Sequence, residues 1–184
     1  MLIENREYTM PDGRAVTVRS TCAADTAAVL EQMCRTSAET YFMIRTADEV
    51  RQIPLEEEER KLAALNASPL DAFIVAEHAG RIIGSAGISP IRVRQRTLHR
   101  ASFGISIEAD FCSGGLGSFM LQTLIDAARR IGYSQIELGV YSDNPRAIRC
   151  YEKADFTAWG ALPRAFRLED GTYRDEVQMT LMLK

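Results

Sequence analysis

At 184 residues and 20.5 kDa the chain has the length of one domain. Apolar residues make up 46% and charged residues 26%, a balance that excludes disordered, collagen-like and low-complexity chains. With 22 Lys+Arg against 25 Asp+Glu, net -3, the chain lacks the basic surplus expected of a nucleic-acid partner. No apolar run approaches the ~20 residues of a membrane span, and no basic segment followed by an apolar one marks a signal peptide. Cys22, Cys34, Cys112 and Cys150 show no paired spacing, and His78 and His99 are the only histidines. Reduced thiols, a cytoplasmic location and no metal site are therefore expected.

Residues 2–9 and 14–19 read as short strands around the turn Met10-Pro-Asp-Gly13. From Thr21, Val29, Leu30, Met33 and Cys34 recur at helical spacing. Residues 46–66 form a second, heavily charged helical region interrupted at Pro54, whose Glu56–Glu59 run reads as a solvated face. Ala72–Glu77 and Ile82–Ile88 form a hairpin across Gly80-Arg81, and 100–108 is a third strand in which Phe103, Ile105 and Ile107 alternate with small residues. Leu116, Phe119, Met120, Leu124, Ala127, Ala128 and Ile131 then mark a long helix ended by Arg129, Arg130 and Gly132. Ile136, Leu138 and Val140 alternate in a strand, and Asn144-Pro145 opens another helix. Strands at roughly 156–168 and 172–183 meet at the hairpin dipeptide Asp170-Gly171. Strand, glycine turn, helix, strand over 100–141 is a βαβ unit. Hairpins on both sides of it predict a single α/β domain over 1–184, with 1–13 as an N-terminal extension. Its sheet is mixed, mostly antiparallel with a central parallel pair, and flanked by helices.

The turn Cys112-Ser113-Gly114-Gly115-Leu116-Gly117-Ser118 carries three glycines in four residues at a helix start. Without Cβ atoms the backbone can bend so that its N–H groups converge, and the first amides of the helix have no intrahelical partner. Together with the helix dipole they suit a phosphate or pyrophosphate. The dinucleotide pattern fails because Met120 stands where its third glycine belongs, and the NTPase pattern fails for want of a lysine.

In context the turn resembles the coenzyme A pyrophosphate loop of the GNAT superfamily of acyl-CoA N-acyltransferases, whose signature Gln/Arg-x-x-Gly-x-Gly/Ala is met by Cys112 to Gly117, with Cys112 in place of the Arg or Gln. About thirty residues on, Asn144, Ala147, Tyr151, Lys153 and Phe156 match the family's Asn-x-x-Ala-x-x-x-Tyr-x-Lys-x-Gly-Phe segment, with Asp155 at the glycine. His99-Arg-Ala-Ser-Phe-Gly-Ile and the closing hairpin look like the ribosomal-protein N-terminal and spermidine acetyltransferase branch.

The resemblance implies a GNAT fold and transfer of acetyl from acetyl-CoA, as cosubstrate, to a primary amine: a small amine, an amino acid or a peptide N-terminus. Coenzyme contacts fall to Cys112, Ser113, Gly114, Gly115, Leu116, Gly117, Ser118 and Asn144. The strand 103–107 resembles the family's bulged strand, so a backbone N–H near Ile105 or Ile107 is expected to polarise the thioester carbonyl. Tyr151 is the expected proton donor to the leaving thiolate. A lysine-like amine with pKa ~10.4 is almost wholly protonated at neutral pH, so a base is needed. Some relatives place a glutamate early in this strand where Ala101 stands here, which leaves Glu108, His99 and Glu39 as candidates. Glu137 is read as structural, and Cys150 as packed. Glu39, Tyr41 and His99 are expected on the acceptor side. A homodimer is compatible with the sequence, and a coenzyme-binding module without turnover is the rival to the enzyme.

Overall fold

The two apolar periodicities resolve into eight strands and five helices in the computed structural model, which describes Met1–Lys184. In chain order these are β1 (Arg6–Thr9), β2 (Ala15–Ser20), α1 (Thr26–Glu39), α2 (Ala47–Arg51), α3 (Leu55–Ala67), β3 (Ala72–His78), β4 (Arg81–Pro90) and β5 (Arg100–Ile107). After them come α4 (Leu116–Ile131), β6 (Gln135–Tyr141), α5 (Pro145–Glu152), β7 (Thr157–Arg167) and β8 (Tyr173–Met182). Pro54 separates α2 from α3, as its missing N–H and fixed φ require. One sheet takes the order β1-β2-β3-β4-β5-β6-β8-β7. Only the β5–β6 pair is parallel, so the expected mixed sheet with its central βαβ unit is what forms.

Strand alternation sends side chains to two helical layers. Ile74, Ala76 and Ile83 join the main core under α4, where Leu116, Met120, Leu121, Leu124 and Ala128 are buried. Val75 and Ile82 face the other way and pack with Val29 of α1 and Leu62 of α3. The glutamate run on α3 is not uniformly solvated. Glu58 is buried and takes two hydrogen bonds from Lys61 Nζ, at 2.8 and 3.0 Å, so its charge is compensated where α3 meets the sheet.

What positions the site is a fork in the sheet. β5 and β6 pair only from Arg100↔Gln135 to Ser102↔Glu137. Beyond that point β6 follows β8 to Tyr141↔Glu176, while β5 follows β4 to Ile107↔Gly84. The β4–β5 register is unbroken from Pro90↔Ala101 to Gly84↔Ile107. The opening therefore comes from divergence of β6 and not from the bulge in β5 that the resemblance implied. Ile91 N donates to Arg100 O and Glu108 N to Ile83 O, which fixes the parity of the ladder. Even-numbered residues of β5 bond β4, and the amides and carbonyls of Phe103, Ile105 and Ile107 face the fork.

Candidate active site

A cavity of about 790 Å³ lies at this fork and is lined by residues from both faces of the sheet. On the α4 and α5 side it is lined by Ile105, Ile107, Cys112, Gly117, Asn144, Arg146, Ala147, Cys150 and Tyr151. On the other face it meets α1, the segment 40–45 and the end of β8.

At the start of α4 the capping position is Gly115, at φ +86°, with no side chain to accept from the first amides. Phe119 N bonds Gly115 O, so the amides of Leu116, Gly117 and Ser118 lie ahead of the first helical bond and remain free donors. The two preceding glycines have a second reason to be glycine. A Cβ on Gly115 would stand 2.6 Å from the Tyr8 hydroxyl, and one on Gly114 would collide with Met10. The Tyr8 hydroxyl also donates to Gly114 O. The β1–β2 hairpin thus braces the turn from behind, a role that no local pattern signals. Gly117 alone of the three faces the cavity, beside Ile107.

α5 begins as expected. Asn144 Oδ1 accepts from Ala147 N at 3.1 Å, and Pro145 follows in the first turn. Two residues on, Arg146 is exposed, forms no ion pair and lines the cavity near Cys112. A cation there adds to the positive end of α4. Sequence reading passed over it although it lies inside the matched segment. Burial raises the Cys112 thiol above its usual pKa, with Arg146 opposing the shift, and its Sγ donates to Ile107 O at 3.3 Å. A protonated, hydrogen-bonded thiol is a filler. Cys150 is not fully packed: it borders the cavity and sits 3.4 Å from Ser118 Oγ.

Tyr151 is 8% exposed, with its ring set edge-on to Phe103 at 6.0 Å and tilted to Phe156 at 5.9 Å. Its hydroxyl makes no hydrogen bond within the chain, yet no buried polar atom is left without a partner. The hydroxyl therefore keeps access to the cavity. Burial pushes its pKa well above the ordinary tyrosine value, so it stays a donor across the neutral and mildly alkaline range. The turn after α5 keeps its shape despite Asp155, which adopts φ +66°, the left-handed conformation a glycine takes freely.

The other sequence candidates are dispersed. Glu108 is buried at the rim of α1 and held by Arg35 Nε at 2.7 Å and Arg81 Nη1 at 2.7 Å. Glu39 Oε2 accepts from Ala109 N at 2.8 Å, which ties α1 to the turn after β5. His99 borders a separate hollow of about 210 Å³ with Leu70 and Tyr133. Of these three base candidates, none lines the main cavity. Tyr41 donates to Asp143 Oδ2 at 2.8 Å, and the same oxygen accepts from Arg174 Nε. It thereby clasps the segment 40–45, and the adjoining Phe42, to the mouth formed by Tyr141 and Phe166, whose rings stack at 3.8 Å. Glu137 is structural as read, bound by Arg100. Sequence reading also missed Glu176, which lies across Gly139 at the fork.

Comparison with known proteins places this geometry. The family model described as the acetyltransferase (GNAT) family matches residues 30–156. The L-amino acid N-acetyltransferase AaaT of Escherichia coli K12 is 30% identical over 107 residues, which are 58% of this chain and 65% of the relative. A GNAT-family acetyltransferase from Streptococcus pneumoniae superposes with a TM-score of 0.86 at 26% identity, covering 92% of this chain and 99% of that one. YncA of Salmonella typhimurium, solved with its cofactor acetyl-CoA, gives a TM-score of 0.80 at 24% identity over 92% and 94% of the two chains. Ribosomal-protein-alanine N-acetyltransferase of Brucella melitensis gives 0.79 at 22% over 90% and 99%.

Proposed function

Because the chain belongs to the GNAT acetyltransferase family, we propose that it transfers an acetyl group from acetyl-CoA to a primary amine. The observation that carries this reading is the fork itself: the backbone N–H and C=O of Ile105 and the amide of Ile107, taken by neither β4 nor β6, stand beside the uncapped amides of α4. A pyrophosphate fits those amides with Arg146 adjacent, and an extended pantetheine arm fits the unpaired edge of β5 as an added strand. When bound, acetyl-CoA supplies an activated thioester carbon. The chain's own part is to hold the thioester carbonyl on the Ile105 or Ile107 amide and to offer the Tyr151 hydroxyl as proton donor to sulfur. Asn144 fixes the helix that carries Tyr151.

On the acceptor face the lining residues include the cation Arg45, a Lys61 already bound to Glu58, and only one carboxylate, Glu176. A polyamine such as spermidine needs several anions, whereas an amine that also carries a carboxylate finds both partners. An amino acid, or a peptide N-terminus with an acidic group nearby, is therefore the acceptor class favoured here. The amino-acid acetyltransferase named among the relatives agrees with it. Thiol release from acetyl-CoA over amino acids, N-terminal peptides and spermidine tests the reading. Turnover is expected with amino-carboxylates first. Calorimetry that detects no acetyl-CoA binding at millimolar concentration would overturn it.

A further inference from the structure

We propose that Glu176, on β8, is the base that takes the proton from the acceptor amine, an inference that rests on the acetyl-transfer reading above. The amine arrives as an ammonium and must lose a proton before its nitrogen can attack. Among the residues lining the cavity there is no histidine and one carboxylate, that of Glu176.

Its placement follows from strand register. Glu176 pairs with Tyr141 and Gln178 with Gly139, so the side chains of Glu176, Gln178 and Tyr141 share the face turned away from α4. The Glu176 side chain runs back along that face and lies directly over Gly139, where any Cβ would strike its carboxyl group. Gly139 is the second residue of β6 past its last pairing with β5. The carboxylate thus sits at the crotch of the fork, opposite Gly104, whose side-chain direction is open. Gln178 Nε2 donates to Oε2 at 2.5 Å, which fixes one oxygen, and Oε1, without a bond in the chain, is the atom that lies over Gly139 at the fork. Gly139 leaves the room the carboxyl fills, and Gly104 keeps the space across the fork open.

The charged and titratable groups around Glu176 come from every neighbouring element. Tyr141 and the Arg100-bound Glu137 lie on β6, and the Asp143-bound Arg174 on β8. Arg45 and the Glu58-bound Lys61 also line the cavity, as do Cys112, Cys150, Arg146 and Tyr151 on the α4 and α5 side. On β7 the residue opposite is Leu162, which is uncharged.

An ammonium N–H proton passes to Glu176 Oε1, and the freed lone pair forms the N–C bond to the acetyl carbon as the C–S bond breaks. Tyr151 gives its proton to the leaving sulfur, the second nitrogen proton passes to solvent as the amide forms, solvent reprotonates the Tyr151 phenolate, and Glu176 releases its proton to solvent. One amide, one free thiol and one proton result.

Glu176→Gln preserves shape and the Gln178 contact, so it removes charge alone. The expected result is a fall in kcat/KM of about 100-fold, loss of the acidic limb of the pH–rate profile, and unchanged acetyl-CoA binding. Gly139→Ala keeps the carboxylate but pushes it off the fork, and an intermediate fall of about tenfold is expected. A readout independent of turnover is the titration of Tyr141 followed by NMR of ring-labelled tyrosine. Its pKa is raised by burial first and also by the charges of Asp143 and Glu176, so Glu176→Gln must lower it. An active wild type with Glu176→Gln within about threefold of it and the same acidic limb overturns the assignment alone. An unmoved Tyr141 titration overturns the placement. A wild type inactive on every amine removes the acetyl-transfer reading and this inference together.

Discussion

Replacing Tyr151 by Phe separates chemistry from binding because the structure isolates the hydroxyl. The ring is held by Phe103 and Phe156, and phenylalanine keeps both contacts. The hydroxyl has no partner in the chain, so its removal leaves no orphaned donor or acceptor. Stability at neutral pH should move by less than about 0.5 kcal/mol. Acetyl-CoA affinity should hold, because the groups assigned to the coenzyme are the α4 amides, the β5 backbone and Arg146. Turnover should fall by about 100-fold, equivalent to about 2.7 kcal/mol of barrier, as the leaving sulfur loses its donor. Stopped-flow thiol release measures kcat, and calorimetry measures the dissociation constant of acetyl-CoA. The pH dependence of unfolding adds an independent arm. Burial raises the Tyr151 pKa in the folded state, while the unfolded chain ionises near pH ~10. Folding is thus favoured below that value and loses stability as pH rises beyond it, because only the unfolded state can release the proton. Tyr151→Phe should flatten that alkaline decline. Unchanged kcat would remove Tyr151 from the mechanism, and an unchanged alkaline decline would refute the burial argument.

Three further substitutions probe other parts of the same frame. Arg146→Ala should weaken acetyl-CoA binding roughly fivefold, about 1 kcal/mol for an exposed cation near phosphate, and the difference should shrink in high salt. Glu108→Gln should lower stability by about 2 kcal/mol in denaturant titration while leaving the acidic limb of the rate profile in place. It breaks a buried ion cluster, but Arg35 and Arg81 remain 34% and 48% exposed and can turn to water. Asp155→Gly should raise stability by about 0.5–1 kcal/mol, since φ +66° costs glycine nothing. A loss in thermal melts would mean that the aspartate side chain compensates its backbone.

Much of the coenzyme side was legible in the residues. The glycine turn, the Asn144 cap and the α4 stripe are local patterns, and the β5–α4–β6 crossover follows from their order. The departures are non-local. Nothing in residues 103–107 announces that β6 will leave β5 after Ser102, since divergence depends on β8 holding β6 through Tyr141↔Glu176. The bracing of Gly114 by Tyr8 and Met10 joins positions more than a hundred residues apart. Glu108 and Glu176 look alike in sequence. Only the fold shows that two arginines neutralise the first and that the second faces the cavity.

That contrast explains why the coenzyme could be inferred and the acceptor could not. The groups assigned to the coenzyme are mostly backbone amides, which tolerate a change such as Cys112 where the family has Arg or Gln. Their signature is therefore glycine, proline and cap residues, whose conformational demands survive in a short motif. The acceptor face is built from side chains of α1, the 40–45 segment, α3, β6, β7 and β8. No two of its charged groups, Arg45, Lys61 and Glu176, are near in sequence, so each is individually an ordinary surface residue. Specificity assembled in this way can change by one substitution without touching the fork. An exchange such as Arg45→Glu should shift preference from amino-carboxylates toward diamines while acetyl-CoA affinity stays constant. Competition between glutamate and spermidine in one reaction mixture reads that shift directly, and an unchanged preference would mean that Arg45 does not face the acceptor.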